Sequence, residues 1–146
     1  MLRVLTEKDL PQLVAIEAAT QAVPWSEEIF KKCFQLDGRG WAIDVNGNMI
    51  GFILIVTQAD ECHILNLCIE PLYQQQGYGK QLLLHVLNEI KQQRTEIVYL
   101  EVRRSNQKAI FLYEKMGFQI IGERKNYYSL AEGQEDALVF AKDLSK

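Results

Sequence analysis

Leu67-Cys68-Ile69-Glu70-Pro71-Leu72-Tyr73-Gln74-Gln75-Gln76-Gly77-Tyr78-Gly79-Lys80 joins two differently patterned halves of the chain. It reads as the end of a strand, a polar loop with two glycines and the opening of a helix. The helix follows from Leu82, Leu83, Val86, Leu87 and Ile90, which repeat at i, i+3, i+4 from a start near Gly79. Such a loop can aim several backbone N–H groups at one spot, and the helix N-terminus adds about half a positive charge. Glycine there lets a phosphate reach the backbone and tolerates a left-handed turn. The loop is therefore a candidate pyrophosphate cradle, with a plain strand-to-helix turn left open. It is not a dinucleotide G-x-G-x-x-G loop, because Leu82 stands three residues after Gly79. It is not a P-loop either, because Gln81 follows Lys80 and Gln74 occupies the earlier glycine position.

Upstream of the loop the period is two. Cys62 to Ile69 reads as a strand, preceded by strands at Trp41–Val45 and from Met49 to about Thr57. Asn46-Gly47 between those two is a type I′ hairpin signal. Before them come a short strand at Leu2–Leu5 and two helices. Thr6-Glu7-Lys8-Asp9 forms a capping box for a helix with Leu10, Leu13, Val14 and Ile16 on its apolar face. After the Pro24-Trp25 turn, Ser26 caps a second helix that ends near Leu36. Downstream, Glu96 to Val102 reads as a strand buried on both faces, with almost no polar alternation. Asn106 is a natural N-cap for a helix through Met116, and Phe118–Ile121 and Asp136–Lys142 are expected as closing strands. The expected fold is a mixed α/β sheet flanked by helices, with an antiparallel meander and a central parallel pair made by the strand–helix–strand crossover.

The chain has 146 residues, which suggests one domain over 1–146. The formal charge of −3 argues against direct nucleic-acid binding by phosphate neutralisation and leaves room for a basic partner. The longest apolar run, Met49 to Val56, falls well short of a membrane span, and Glu7 and Asp9 interrupt any leader-like apolar segment. Three cysteines without C-x-x-C spacing suit reduced thiols and a cytoplasmic location. His63 and His85 have no carboxylate or cysteine at ligand spacing, so no metal is expected.

Gln74-x-x-Gly77-x-Gly79 resembles the Q/R-x-x-G-x-G/A signature of the GCN5-related N-acetyltransferases, and the likeness covers nearly the whole chain. More specific blocks are Val23-Pro24-Trp25-Ser26, Leu100-Glu101-Val102-Arg103-x-Ser105-Asn106 and Arg124-x-Asn126-Tyr127-Tyr128. A further block runs from Ala109 through Leu112-Tyr113-Glu114 to Gly117-Phe118. Together they are similar to the branch that acetylates the N-terminal alanine of a ribosomal small-subunit protein. That branch often has arginine where this sequence has Gln75 and Lys80. The resemblance implies acetyl-CoA as co-substrate, with Leu67, Cys68 and Ile69 along its pantetheine arm. It implies Gln75, Gln76, Gly77, Tyr78, Gly79 and Lys80 around the pyrophosphate, and Asn106 near the thioester. It further implies Glu101 as general base and Tyr113 as general acid, with direct attack on the thioester; a monomer is expected.

The residues support these roles on separate grounds and leave alternatives. Glu101 ends a strand where open α/β sheets place ligands, a position suited to accepting a proton, though it can simply pair with Arg103 or Arg124. Tyr113 can protonate a departing thiolate or serve as a core tyrosine. Asn106 can cap a helix and also touch a cofactor. Cys68 reads as a small buried apolar residue, not an acyl carrier, because no base accompanies it. Trp25, Tyr127 and Tyr128 are candidate walls for an incoming peptide. Rival classes are an acetyltransferase for lysines or small amines, and a CoA-binding module without catalysis.

Overall fold

The computed structural model describes residues 1–130 and 133–145, and gives the backbone alone for 128–130, 133 and 134. In chain order the elements are β1 (Leu2–Val4), α1 (Leu10–Thr20), α2 (Glu27–Gln35), β2 (Arg39–Val45), β3 (Asn48–Gln58) and β4 (Glu61–Ile69). There follow α3 (Tyr78–Gln92), β5 (Ile97–Arg103), α4 (Gln107–Lys115), β6 (Gln119–Leu130) and β7 (Gly133–Asp143). The strands form one sheet in the order β1-β2-β3-β4-β5-β7-β6. Only the β4–β5 pair is parallel, as the crossover through α3 requires.

Local chemistry accounts for the early turns. Asn46 and Gly47 have φ of 53° and 81°, the left-handed pair that a two-residue type I′ hairpin needs. The Thr6–Asp9 box opens a 3-10 turn at Glu7–Asp9 before α1, and the Thr6 N–H donates to the Asp9 carboxylate at 2.9 Å. Arg3 of β1 donates to both oxygens of that carboxylate at 3.0 Å and to Asp44 of β2 at 2.6 Å. The box thereby fastens α1 to the sheet edge. Burial works against the charged form of Asp9, but the Arg3 hydrogen bonds and the Thr6 N–H outweigh it and hold the carboxyl below its usual range.

Two hydrophobic cores lie on opposite faces of the sheet. On one, Leu13 and Ile16 of α1 and Phe30 of α2 pack on Ala42, Phe52 and Leu54. On the other, Leu82, Leu83, Val86 and Ile90 of α3 pack with Ile110 of α4 on Ile53, Ile55, Val98 and Leu100. Strand β3, sandwiched between them, is buried from Met49 to Ile55. That corrects the reading of Glu96–Val102 as the strand buried on both faces. In β5 only Val98, Leu100 and Val102 are buried, while Tyr99, Glu101 and Arg103 alternate with them on the other face. The packing of α1 and α2 centres on β2, β3 and β4, so this face of β5 stays open. Strands β6 and β7 also run further than the apolar segments Phe118–Ile121 and Asp136–Lys142, because backbone pairing continues past two register shifts in β6.

Candidate active site

Parallel pairing of β4 with β5 runs from Glu61↔Ile97 to Ile64↔Leu100 and ends there. At the same level β4 bulges: Ile55 of β3 faces Ile64 and Leu54 faces Asn66, leaving Leu65 as the extra residue. The two strands part beyond this bulge, and two cavities line the wedge between them.

The first is about 520 Å³. Leu67, Cys68 and Ile69 of β4 form one wall, Gln75, Gly77, Gly79 and Lys80 its floor, and Asn106 and Tyr113 the side of α4. Gln75 and Gly77 have φ of 62° and 90°, both left-handed. Alternating such residues with right-handed or extended ones turns successive N–H groups inward, as an anion cradle requires. For Gln75 that backbone is strained, a cost typical of functional loops. The Gln74 amide donates to the Ile69 carbonyl at 3.0 Å and ties the loop to the strand end. Gly79 differs from Gly77. A Cβ on it would lie 3.6 Å from Leu112 Cδ2 and 3.8 Å from Ile69 Cγ1, ordinary contacts, so neither backbone nor crowding demands glycine. What a side chain would take up there is cavity space.

The signs of charge are informative. Lys80, Arg103 and Lys108 line the first cavity, and no carboxylate among the described residues does. The N-terminus of α3 adds to this positive field. A protein of net charge −3 thus presents a locally cationic groove, suited to a polyphosphate. Gln76 and Tyr78 of the expected cradle turn their side chains elsewhere. The Gln76 amide turns back to the Leu72 carbonyl at 3.1 Å, and the Tyr78 ring packs edge-on to Tyr73 at 6.2 Å. Neither side chain lines the cavity, so these two residues have only their backbone to offer.

The second cavity, about 160 Å³, carries two carboxylates, Glu17 and Glu101, with Trp25 and Asn66 beside them. It shares Gln21, Leu67, Arg103, Asn106, Ala109 and Tyr113 with the first. Tyr113 is 6% exposed and braced edge-on by Phe118 at 5.7 Å, so its ring is fixed where the cavities meet. Asn106 both caps α4, accepting from the Ala109 N–H at 3.2 Å, and lines both spaces. Glu101 lies 3.5 Å from His63 Nε2 and 3.7 Å from Arg124, whereas Arg103 pairs with Glu135 at 3.7 Å. Arg124 also stands 5.4 Å from the centre of the Tyr127 ring. The Tyr128 side chain lies outside the described residues. Cys68 is buried, and burial together with the neighbouring Glu17 charge pushes its thiol up to about 12. No group of three or more possible metal ligands occurs among the described residues.

Glu17, Asn66 and His63 were not singled out by sequence reasoning. Glu17 had a signal: it falls on the apolar stripe of Leu10 and Leu13 at helical spacing, where a charge is out of place. His63 joins Glu101 only through the parallel register, which sets it opposite Tyr99 and on the same face as Glu101.

Residues 8–118 match the Acetyltransferase (GNAT) family, and the chain belongs to that family. It is 37% identical over 141 residues to the ribosomal protein bS18-alanine N-acetyltransferase of Escherichia coli (strain K12), covering 97% of this chain and 95% of that one. The Haemophilus influenzae protein of the same name is 38% identical over 134 residues, 91% of each chain. The crystal structure of the ribosomal-protein-S18-alanine N-acetyltransferase from Escherichia coli superposes with a TM-score of 0.93 at 36% identity, covering 100% of this chain and 96% of that one.

Proposed function

We propose that this chain moves acetyl from acetyl-CoA to the α-amine of an alanine-initial ribosomal small-subunit protein, by direct attack. The observation that carries this reading is the meeting, at Tyr113, of a cationic groove and a carboxylate-bearing cavity. The groove suits the phosphates and arm of a CoA thioester, and the smaller cavity suits an amine. The names of the Escherichia coli and Haemophilus influenzae relatives support alanine as the acceptor.

In the proposed mechanism the acceptor nitrogen attacks the thioester carbonyl, the C–S bond breaks, and an amide and free CoA result. Glu101 takes the proton that the amine loses, directly or through one water. Tyr113 gives its hydroxyl proton to the departing sulfur. A free α-amine has a pKa of about 7.7–8.0 against roughly 10.4 for lysine, so near neutrality a carboxylate is a sufficient base. Cys68 takes no part as an acyl carrier, since a thiol pushed up to about 12 is not a nucleophile at neutral pH.

The test is CoA release on adding a peptide that begins with alanine and carries early arginine, followed by fragment-ion mapping. Acetyl on the α-amine is expected. Acetyl chiefly on lysine ε-amines, or no CoA release, would overturn the assignment.

A further inference from the structure

Glu17 is 1% exposed, yet it is a charged residue on the buried face of α1. One carboxylate oxygen accepts from Asn66 Nδ2 at 2.8 Å and the Cys68 thiol at 3.3 Å, and the other from the Trp25 N–H at 2.9 Å. Each of these groups donates to it. All are also neutral: no ion pair to Glu17 forms among the described residues, while Arg3, Arg103, Arg104 and Arg124 each have carboxylates elsewhere. A cation brought against this buried carboxylate would meet little solvent screening. Glu17 lines the smaller cavity, and the oxygen bound to Trp25 has that one donor among the described residues, so it can accept another.

We infer that Glu17 is the cation receptor of the acceptor cavity: it draws in the protonated α-ammonium of the incoming peptide, which loses one proton to solvent by way of Glu101 to become the attacking amine and its second to Glu101 as the amide forms. It is then a specificity-determining residue, selecting cationic chain ends over neutral ones of the same shape. The inference rests on the acceptor reading above and adds to it the group that binds the amine.

Glu17→Gln isolates the charge. Turning the Asn66 amide over lets the new NH₂ donate to Asn66 while the glutamine carbonyl still accepts from the Trp25 N–H, so the two amide-type hydrogen bonds survive. The expected result is a KM for the alanine-initial peptide raised about tenfold, as for loss of one charge-assisted hydrogen bond, with kcat within about twofold and acetyl-CoA affinity unchanged. A KM within about twofold of the parent overturns the inference, because it leaves Glu17 a purely structural role. A second measurement needs no variant. The parent protein loaded with CoA is titrated with the alanine-initial peptide and with its lactoyl counterpart, in which a hydroxyl replaces the α-ammonium. The lactoyl peptide should bind about tenfold more weakly. Indistinguishable behaviour of the two probes, including no binding of either, overturns the inference. Failure of the parent to acetylate the alanine peptide counts against the proposed function instead, and the same probe titration run on Glu17→Gln beside the parent still decides the role of Glu17: the preference for the α-ammonium should shrink in the variant, and an unchanged preference overturns the inference.

Discussion

Gly79 is the second residue of α3, a position with ordinary backbone geometry and room for a Cβ. Alanine there should therefore favour the fold, by up to about 1 kcal/mol from helix propensity, or a rise in Tm of about 2–4 °C for a domain of this size. Aspartate in the first helical turn should add roughly 0.3–1 kcal/mol through the helix dipole. Both substitutions act oppositely on binding, since the side chain enters the space in which phosphate oxygens meet backbone N–H groups. Losing one such charge-assisted hydrogen bond costs about 1.5–3 kcal/mol, which is roughly ten- to a hundredfold in Kd. Aspartate adds repulsion: two unit charges about 5 Å apart at an effective dielectric of about 20 interact by roughly 3 kcal/mol. Melting curves and isothermal titration with acetyl-CoA read both quantities on the same samples. The expected pattern is a raised Tm with weakened binding, more strongly for Gly79→Asp than for Gly79→Ala. An aspartate variant with the parent's Kd would refute the placement of the pyrophosphate in this loop.

Three further outcomes are open to measurement. Glu101→Gln should lower kcat/KM roughly ten- to a thousandfold near pH 7 and recover in part towards pH 9, while the defect of Tyr113→Phe should persist or grow with pH; parallel pH–rate profiles would show that neither residue exchanges protons. Burial pushes the thiols of Cys62 and Cys68 up to about 12, so at pH 8 a thiol reagent should titrate no more than the half-buried Cys33 in the folded protein; modification of Cys68 at the rate of a free thiol would reverse this. Asp9→Asn should destabilise the fold by about 2 kcal/mol, since it leaves Arg3 without one of its two carboxylates. Because the Asp9 carboxyl is held below its usual range, its contribution is fully present above the unfolded value of about 3.9 and is lost as pH falls through the lower folded value. Denaturant melts of parent and variant should therefore differ by a constant amount above about pH 5 and converge in stronger acid; a gap that persists at pH 2 would remove the ion pair as its cause.

The loop from Gln74 to Lys80 was legible because phosphate recognition by backbone leaves a compositional mark: glycines, then an amphipathic helix. Helix caps at Ser26 and Asn106 and the Asn46-Gly47 hairpin were legible for the same reason, each being a local requirement satisfied by a local residue. Two-sided burial was misplaced from β3 to β5, because hydrophobicity along a strand does not say how far the helices on each face extend. The pairing of Glu101 with His63 depends on register across a crossover of a whole helix, and no local signal carries it. Glu17 stood in plain sight on an apolar stripe, but its meaning depends on Asn66 and Trp25, which reach it from two other segments.

The early end of β4–β5 pairing leaves an open strand edge in the interior of the sheet, from Leu65 to Ile69. Exposed edges are the usual templates for runaway association, since any flat strand can add to them. This one is recessed between the end of α1, where Gln21 stands, and the start of α4 at Asn106. The edge of β4 from Leu67 to Ile69 therefore borders the first cavity, and a ligand that pairs with it must come in between the end of α1 and the start of α4.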